Sequence, residues 1–454
     1  MTRYLAVDFG STFTKAALVE AGTGVLLGTT SHPTTLATDV LDGFRACREQ
    51  LGLAPGEEPD LTVLACSSAG GGLRIAVVGN EELVTAEAGR RVALSSGGTV
   101  VGVHAWATDG PPTPAALEPL RPDVVLLVGG TDGGNPAPLL ACAEALRDWS
   151  GPVVLAGNTA AAPQAVELLT AAGVPVTVAD NVVPRIGVLV PEPARVAIRE
   201  VFLRHVIGGK HLSASTDFTA MVRGATPDVV LRGVELLARG TGEDDPGVGD
   251  VVVVDVGGAT TDVHSVVEPD PDQVGREVVA TAPVSRTVEG DLGMRWSAPG
   301  VVAAAGRDDL AEEARRRAED PAFLPGTAPD PDHQARVDEE IATLAVTEAL
   351  RRHAGRSQVV LGPDGRVVVR TGQDLREVEL LVGSGGVLRH AEDGVAERVL
   401  SAACAAGDGG WQLPEQPRRV VDADYVLAAA GLIGESDPVT AHRLVQRLLV
   451  GRAG

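Results

Sequence analysis

The stretch VVVVDVGGATTDVHSV, residues 251 to 266, constrains the chain more than any other. Four consecutive valines read as a strand buried on both faces, as in a sheet covered by helices, and the strand runs directly into a glycine pair. Gly257 and Gly258 permit a tight turn that brings backbone N–H groups close to a ligand, while Thr260 and Thr261 add hydroxyl donors. That combination suits a phosphate. Asp255 and Asp262 would repel a bare phosphate, so this carboxylate pair implies a cation beside it, most simply Mg²⁺.

The N-terminal segment YLAVDFGSTFTKAALVE repeats the plan: a strand, Asp8, Gly10, the hydroxyls of Ser11, Thr12 and Thr14, then Lys15 and a return strand. Either segment alone is an ordinary turn as readily as a ligand loop. Two copies half a chain apart are what a phosphate clamp of two lobes looks like in sequence. The pair resembles the phosphate 1 and phosphate 2 loops of the actin, heat-shock chaperone and sugar-kinase ATPases. LLVGSGGVLRH, residues 380 to 390, is similar to their adenosine loop. The resemblance implies an α/β fold: a two-lobed actin-like ATPase with ribonuclease H-like lobes and an inserted parallel α/β module in the first lobe.

Composition narrows the classes. A chain of 454 residues has room for two to four domains, and 44% apolar content can fill their cores. Nothing approaches the run of about 18 apolar residues that a membrane helix needs, and no signal-peptide pattern precedes the first strand. Cys47, Cys66, Cys142 and Cys404 form no CxxC pair, which speaks for a reducing compartment and against a zinc site. These features predict a soluble cytoplasmic protein. A formal charge of −23 argues against nucleic acid and anionic membrane as partners. Among 38 basic residues only Lys15 and Lys210 are lysines. A lysine inside a phosphate loop of an otherwise arginine-using chain suggests a need for a compact point charge, whereas the role of Lys210 stays open.

Taken in order, residues 3 to 31 read as a three-strand meander, followed by a helix through Gln50 capped by Thr38 or Asp39. Residues 1–79 are expected to be the first part of one lobe, 80–183 the inserted module, 184–246 the rest of that lobe, 247–435 the second lobe, and 436–454 a C-terminal helix. The module alternates short apolar strands with helical stretches, the pattern of a parallel sheet. Its loops SSAGGGLR (67–74) and GGTDGGN (129–135) are read either as a second small-molecule site or as sharp strand exits. The charged, proline-containing residues 307 to 334 read as a surface excursion, and a hairpin is expected to pivot on Pro363, Asp364 and Gly365.

From the superfamily resemblance, glycine N–H groups and hydroxyls of both loops would wrap the phosphates of ATP or ADP. Adenine would rest on Gly383, Gly385 and Gly386, with Ser384 among the nucleotide-binding residues, Asp8 and Asp255 would hold Mg²⁺, and Asp262 would orient the attacking water or make a second metal contact. Small residues at 423 to 434 resemble its second connecting segment. A finer likeness is carried by DFGSTFTKAALVE, CSSAGGGLRIAVVG, VVLLVGGTDGGN, DNVVPRIGVL, FLRHVIGGKHLS, VVVVDVGGATTDVHSV and TVEGDLGMR, in that order. These resemble the glutamate mutase accessory family called MutL or GlmL over about residues 1 to 435. The likeness implies an ATP-hydrolysing chaperone that reactivates an adenosylcobalamin-dependent mutase, with a mutase subunit as partner and the oligomeric state open. Two alternatives stand beside it: a small-molecule kinase of sugar or organic acid type, with Glu289 or Asp291 as acceptor carboxylate, and an actin-type scaffold ATPase.

Overall fold

The computed structural model describes residues 2–53, 59–69, 72–207, 212–213, 215–268, 282–320, 323–362, 365–405 and 409–450. It divides into two compact units, Met1–Gly233 with Asp270–Ala282 and Ala428–Ala441, and Val234–Pro269 with Pro283–Leu427 and His442–Gly454.

The first unit carries β1 (Arg3–Phe9), β2 (Phe13–Glu20), β3 (Leu26–Pro33), β4 (Leu61–Ser67), β5 (Leu73–Gly79), β6 (Gly98–Ala105), β7 (Val124–Leu127), β8 (Val153–Leu155), β9 (Val176–Val178) and β10 (Val222–Ala225). One sheet runs β10-β4-β1-β2-β3: an antiparallel meander whose first strand pairs parallel with β4, and β4 with β10. Alternation along β1 and β2 sends Leu5, Val7, Phe9, Ala16 and Leu18 to one face, into a core shared with Val40, Leu41, Phe44 and Cys47 of the helix Val40–Gln50. Asp39 caps that helix, accepting from the Leu41 N–H at 2.8 Å.

The other sheet, β6-β5-β7-β8-β9, is parallel throughout. Its order is that of a doubly wound fold whose winding reverses between β5 and β7. The helices Glu87–Ser95 and Glu192–Val201 cover one face and join the core of the first sheet, while Ala137–Ala145 and Ala162–Ala171 cover the other with a core of their own. The module therefore shares a core with its host. The expected boundary at residue 80 needs correction, because β5 is an interior strand of the parallel sheet although it precedes that residue.

The second unit begins with a short ribbon of β11 (Gly240–Gly242) and β12 (Asp245–Pro246), then β13 (Val251–Val256), β14 (Thr261–Val266), β15 (Val284–Glu289), the hairpin β16 (Arg356–Gly362) and β17 (Gly365–Thr371), β18 (Leu380–Ser384) and β19 (Arg418–Val421). Residues 363 and 364 of the expected pivot lie outside the described residues. The main sheet, β15-β14-β13-β18-β19, repeats the first unit's topology: a three-strand meander, then two parallel strands added beside its first member. Val252, Val254, Val256 and Val263 pack against the helix Pro331–His353. A ribonuclease H-like sheet occurring twice is the α/β architecture of the actin-like ATPases, as expected.

The division between units falls inside two helices, Thr226–Arg239 and Val426–Ile433. The stretch Ala428–Ala441 belongs with the first unit, contrary to the expected limits of the second lobe and C-terminal helix. Tyr4 Oη donates to Asp437 at 3.3 Å, and the Gly22 N–H donates to Thr440 Oγ1 at 2.7 Å. Gly431 lies so close to the first of these helices that a Cβ would overlap the Val229 carbonyl oxygen. Gly431→Ala should therefore lower stability by about 1–3 kcal/mol, the usual cost of overpacking, read as a lower urea midpoint.

Most described residues of the region 307 to 334 are exposed, as expected of a surface excursion, but one of its arginines is interior. The region contains the helix Ala311–Glu319, whose Arg317 is 0% exposed. Arg317 donates to Asp338 Oδ1 at 2.6 Å, Gln334 Oε1 at 3.1 Å and Glu313 Oε2 at 3.1 Å, and its guanidinium stacks over Phe323. No helix among the described residues is long and apolar enough to cross a membrane.

Candidate functional site

The two sheets carry matching turns at matching places. In the first unit Asp8 stands opposite Lys15 across β2 and beside Cys66 of β4; in the second Asp255 stands opposite Asp262 across β14 and beside Ser384 of β18. The Gly10 N–H donates to the Phe13 carbonyl at 3.1 Å, and the Gly257 N–H to the Thr260 carbonyl at 2.9 Å. Each turn is tight at its glycine: a Cβ on Gly10 would lie 2.6 Å from the Phe13 carbonyl oxygen, and one on Gly257 2.9 Å from that of Thr260. Each turn thus sets its glycine two residues after a strand carboxylate, Gly10 after Asp8 and Gly257 after Asp255.

Directly opposed residues of an antiparallel pair share a face, so Asp8 and Lys15 lie together, as do Asp255 and Asp262. Thr14 and Thr261 are one step out of phase, opposite Phe9 and Val256. Both threonines are 0% exposed. Thr14 Oγ1 lies 3.3 Å from Thr34 Oγ1, beneath Gly43 of the first helix. These two expected phosphate hydroxyls are therefore not brought to the carboxylate face, and one residue of register is the reason. Ser11 and Thr12 are exposed at the tip of the first turn, and Thr260 is half-buried in the second. Lys15→Arg should lower turnover at least about tenfold with little change in stability, because a planar fork replaces a point charge, whereas Thr14→Val should leave turnover unchanged. Steady-state kinetics beside thermal melts separates the two.

Asp8 is 6% exposed, and its Oδ1 accepts from Thr226 Oγ1 at 2.6 Å. The Cys66 thiol lies 3.6 Å from the same oxygen. In the second unit the buried Arg286 donates from Nη2 to Asp262 Oδ1 at 2.7 Å, and Thr260 Oγ1 lies 3.4 Å from Asp262 Oδ2. An internal cation thus already sits beside Asp262, a partner that the carboxylate-pair argument did not anticipate. Burial, with Arg286 adding to it, pushes the neighbouring His264 imidazole well below its ordinary range. Neither Thr226 nor Arg286 carried a signal in the sequence.

The second turn is braced from behind. The Met294 N–H donates to the Gly257 carbonyl at 2.9 Å and the Arg295 N–H to the Gly258 carbonyl at 2.8 Å. The Trp296 indole, 53% exposed, lies 3.0 Å from where a Gly258 Cβ would sit. Arg295 is anchored in turn to Asp338 at 3.1 Å. Of the expected adenosine-loop residues, Ser384 lies beside Asp255 and Gly386 is open, with nothing within 4 Å of a Cβ position. Gly385 (φ 94°) leaves no room for a side chain against the Val256 carbonyl. Gly383 is not part of a platform: it is buried, with a Cβ position 2.9 Å from Leu388.

Among the described residues no group of three or more His, Cys, Asp or Glu side chains could hold a metal. Asp8 of the first unit and Asp255 of the second are nevertheless oxygen donors of the type that a largely hydrated Mg²⁺ accepts. The kinase candidates are both held by one arginine: Arg352 Nη1 bonds Glu289 at 2.8 Å and Asp291 at 2.6 Å. Burial raises the Glu289 carboxyl above its usual range against the pull of Arg352, whereas Arg352 holds Asp291 below it. Lys210 lies outside the described residues.

Comparison with known proteins bears on this arrangement. The sequence profile of a family described as "MutL protein" matches residues 4–449. The chain is 35% identical over 470 residues to "Protein MutL" of Clostridium tetanomorphum, covering 99% of this chain and 100% of that protein. Among solved structures it is similar to the activator of the 2-hydroxyisocaproyl-CoA dehydratase from Clostridium difficile with bound ADPNP, at TM-score 0.34 and 9% identity over 100% of this chain and 99% of that one. It is also similar to the ethanolamine utilization protein EutJ from Carboxydothermus hydrogenoformans, at TM-score 0.30 and 11% identity over 98% and 90%. At those scores the fold assignment rests on the strand orders above.

Proposed function

This chain belongs to the MutL protein family, and from that premise we infer that it binds and hydrolyses ATP and serves an adenosylcobalamin-dependent mutase of the glutamate mutase type. The observation carrying the ATPase reading is the repetition of one device, a strand ending in Asp and a glycine turn, at the same position of two sheets of the same topology. The first unit offers phosphate the turn Gly10–Thr12 with Lys15; the second offers Gly257, Gly258 and Thr260. Asp8 is the carboxylate through which the first unit would meet Mg²⁺, and Asp255 the corresponding group of the second. When bound, the metal supplies neutralisation of the charge on phosphate oxygens. The residues themselves position and exclude: the braced glycine turn fixes where the N–H groups point, and the hydrogen bond from Arg286 fixes the Asp262 carboxylate that would orient a water.

Hydrolysis removes the phosphoryl group that such turns grip, so it biases a conformational equilibrium, and that bias would drive reactivation of the mutase. The kinase reading is weaker because Arg352 holds both proposed acceptor carboxylates. The deciding experiment is ATP hydrolysis by the purified protein, alone, with sugars and organic acids, and with a turnover-inactivated cobalamin mutase. Slow acceptor-independent hydrolysis, with mutase activity restored only when ATP and free cobalamin are both present, supports the reading. Rapid phosphorylation of an acceptor overturns it.

A further inference from the structure

The segment Thr226–Pro227–Asp228 opens the helix Thr226–Arg239 and is fixed at both ends. At one end the Thr226 hydroxyl donates to Asp8 Oδ1 at 2.6 Å, and Cys66 Sγ lies 3.6 Å from the same atom. The other carboxylate oxygen, Oδ2, lies toward the glycine turn, 3.9 Å from where a Gly10 Cβ would be. At the other end Asp228 is buried among arginines, with Arg199 Nε at 2.7 Å, Arg195 Nη2 at 3.6 Å and Arg232 Nε at 4.0 Å. Arg195 and Arg199 belong to the helix Glu192–Val201, which covers the parallel sheet. A Cβ on Gly97 would lie 2.7 Å from the Asp228 nitrogen, so the backbone is held there as well. Pro227 between them fixes one backbone dihedral.

A carboxylate rotates freely about its last bond unless one oxygen is tied. We propose that Thr226 is a positioning residue for Asp8: it occupies Oδ1, so that Oδ2 alone is presented to a metal–nucleotide complex, and the arginine clamp on Asp228 sets where Thr226 stands. The parallel α/β module thereby governs the geometry of the loop carboxylate. One oxygen from one carboxylate is the donor that a largely hydrated Mg²⁺ takes. This inference rests on the nucleotide reading above.

Its test measures Mn²⁺ binding in the presence of ADP by electron paramagnetic resonance, with Mg²⁺ dependence of hydrolysis alongside, in the full-length protein and in Thr226→Val, Thr226→Ser and Asp8→Asn. Loss of a hydrogen-bonded partner behind a metal ligand should weaken Mn²⁺ binding about 10–100-fold in Thr226→Val and shift the half-saturating Mg²⁺ in step, while Thr226→Ser stays within about threefold of the parent. Circular dichroism checks folding, and Thr226→Ala serves if the valine variant fails to fold. Unchanged Mn²⁺ binding in Thr226→Val with binding lost in Asp8→Asn overturns the positioning role and leaves the nucleotide reading standing. No Mn²⁺ binding by the parent protein with ADP, or none lost in Asp8→Asn, overturns that reading and this inference with it.

Discussion

Asp255→Asn should reduce ATP hydrolysis by about 10²–10³-fold, the usual loss when a preorganised electrostatic group is removed, while the thermal transition stays in place. Asp255 sits in β13 between Asp262 on one neighbouring strand and Ser384 on the other. Asparagine keeps the volume and one oxygen, so the sheet register and the glycine turn are retained. What is lost is the negative charge through which this unit would meet Mg²⁺. Single-turnover hydrolysis with varied Mg²⁺ separates a metal defect, which more metal partly relieves, from a folding defect, which it does not. A variant hydrolysing at the parent rate would sink the assignment of this turn.

The largest effect on stability should come from Asp338→Ala. Asp338 pairs at once with Arg317 at 2.6 Å and Arg295 at 3.1 Å, and Arg317 has no exposed surface. Removing Asp338 leaves two arginine side chains short of a carboxylate in a poor dielectric, Arg317 keeping only Glu313, and breaking a buried pair in this way costs about 3–5 kcal/mol. Urea denaturation reads this directly, and a loss below about 1 kcal/mol would show that Gln334 and Glu313 suffice for Arg317. A second consequence separates this variant from ordinary core damage. Arg295 links Asp338 to the segment bonded behind Gly257 and Gly258, so nucleotide affinity should fall even where the protein remains folded. Asp338→Asn, which retains hydrogen bonding, should lie between the two.

Much of the site was legible because its signals are local. The run of valines, the glycine after each aspartate and the return strand are consecutive residues, so strand, turn and strand could be read without knowing what lay beside them. The order of the three motifs carried the duplicated fold. The face each hydroxyl takes was harder to read, since it depends on pairing register: a turn closing Gly10 on Phe13 sets Asp8 against Lys15 and sends Thr14 to the helix side. The repeat makes the same substitution of faces at Thr261. Within residues 307 to 334, which are mostly exposed as expected, the burial of Arg317 was hidden for another reason. Their charge reads as solvated surface, yet an arginine with every arm engaged can be buried when acidic and amide partners come from a neighbouring helix.

From its own order of residues, then, this chain determined two strands that end in aspartate and glycine, a lysine beside one of them, a third glycine loop, and the α/β class that contains them. Tertiary structure alone decided that Thr226, 218 residues from Asp8, holds that carboxylate, that Arg286 stands against Asp262, and that Arg317 is interior. Local conformation follows from neighbouring residues through backbone sterics and hydrophobic period. The environment of a charge follows from segments far apart in the chain, which only packing brings together.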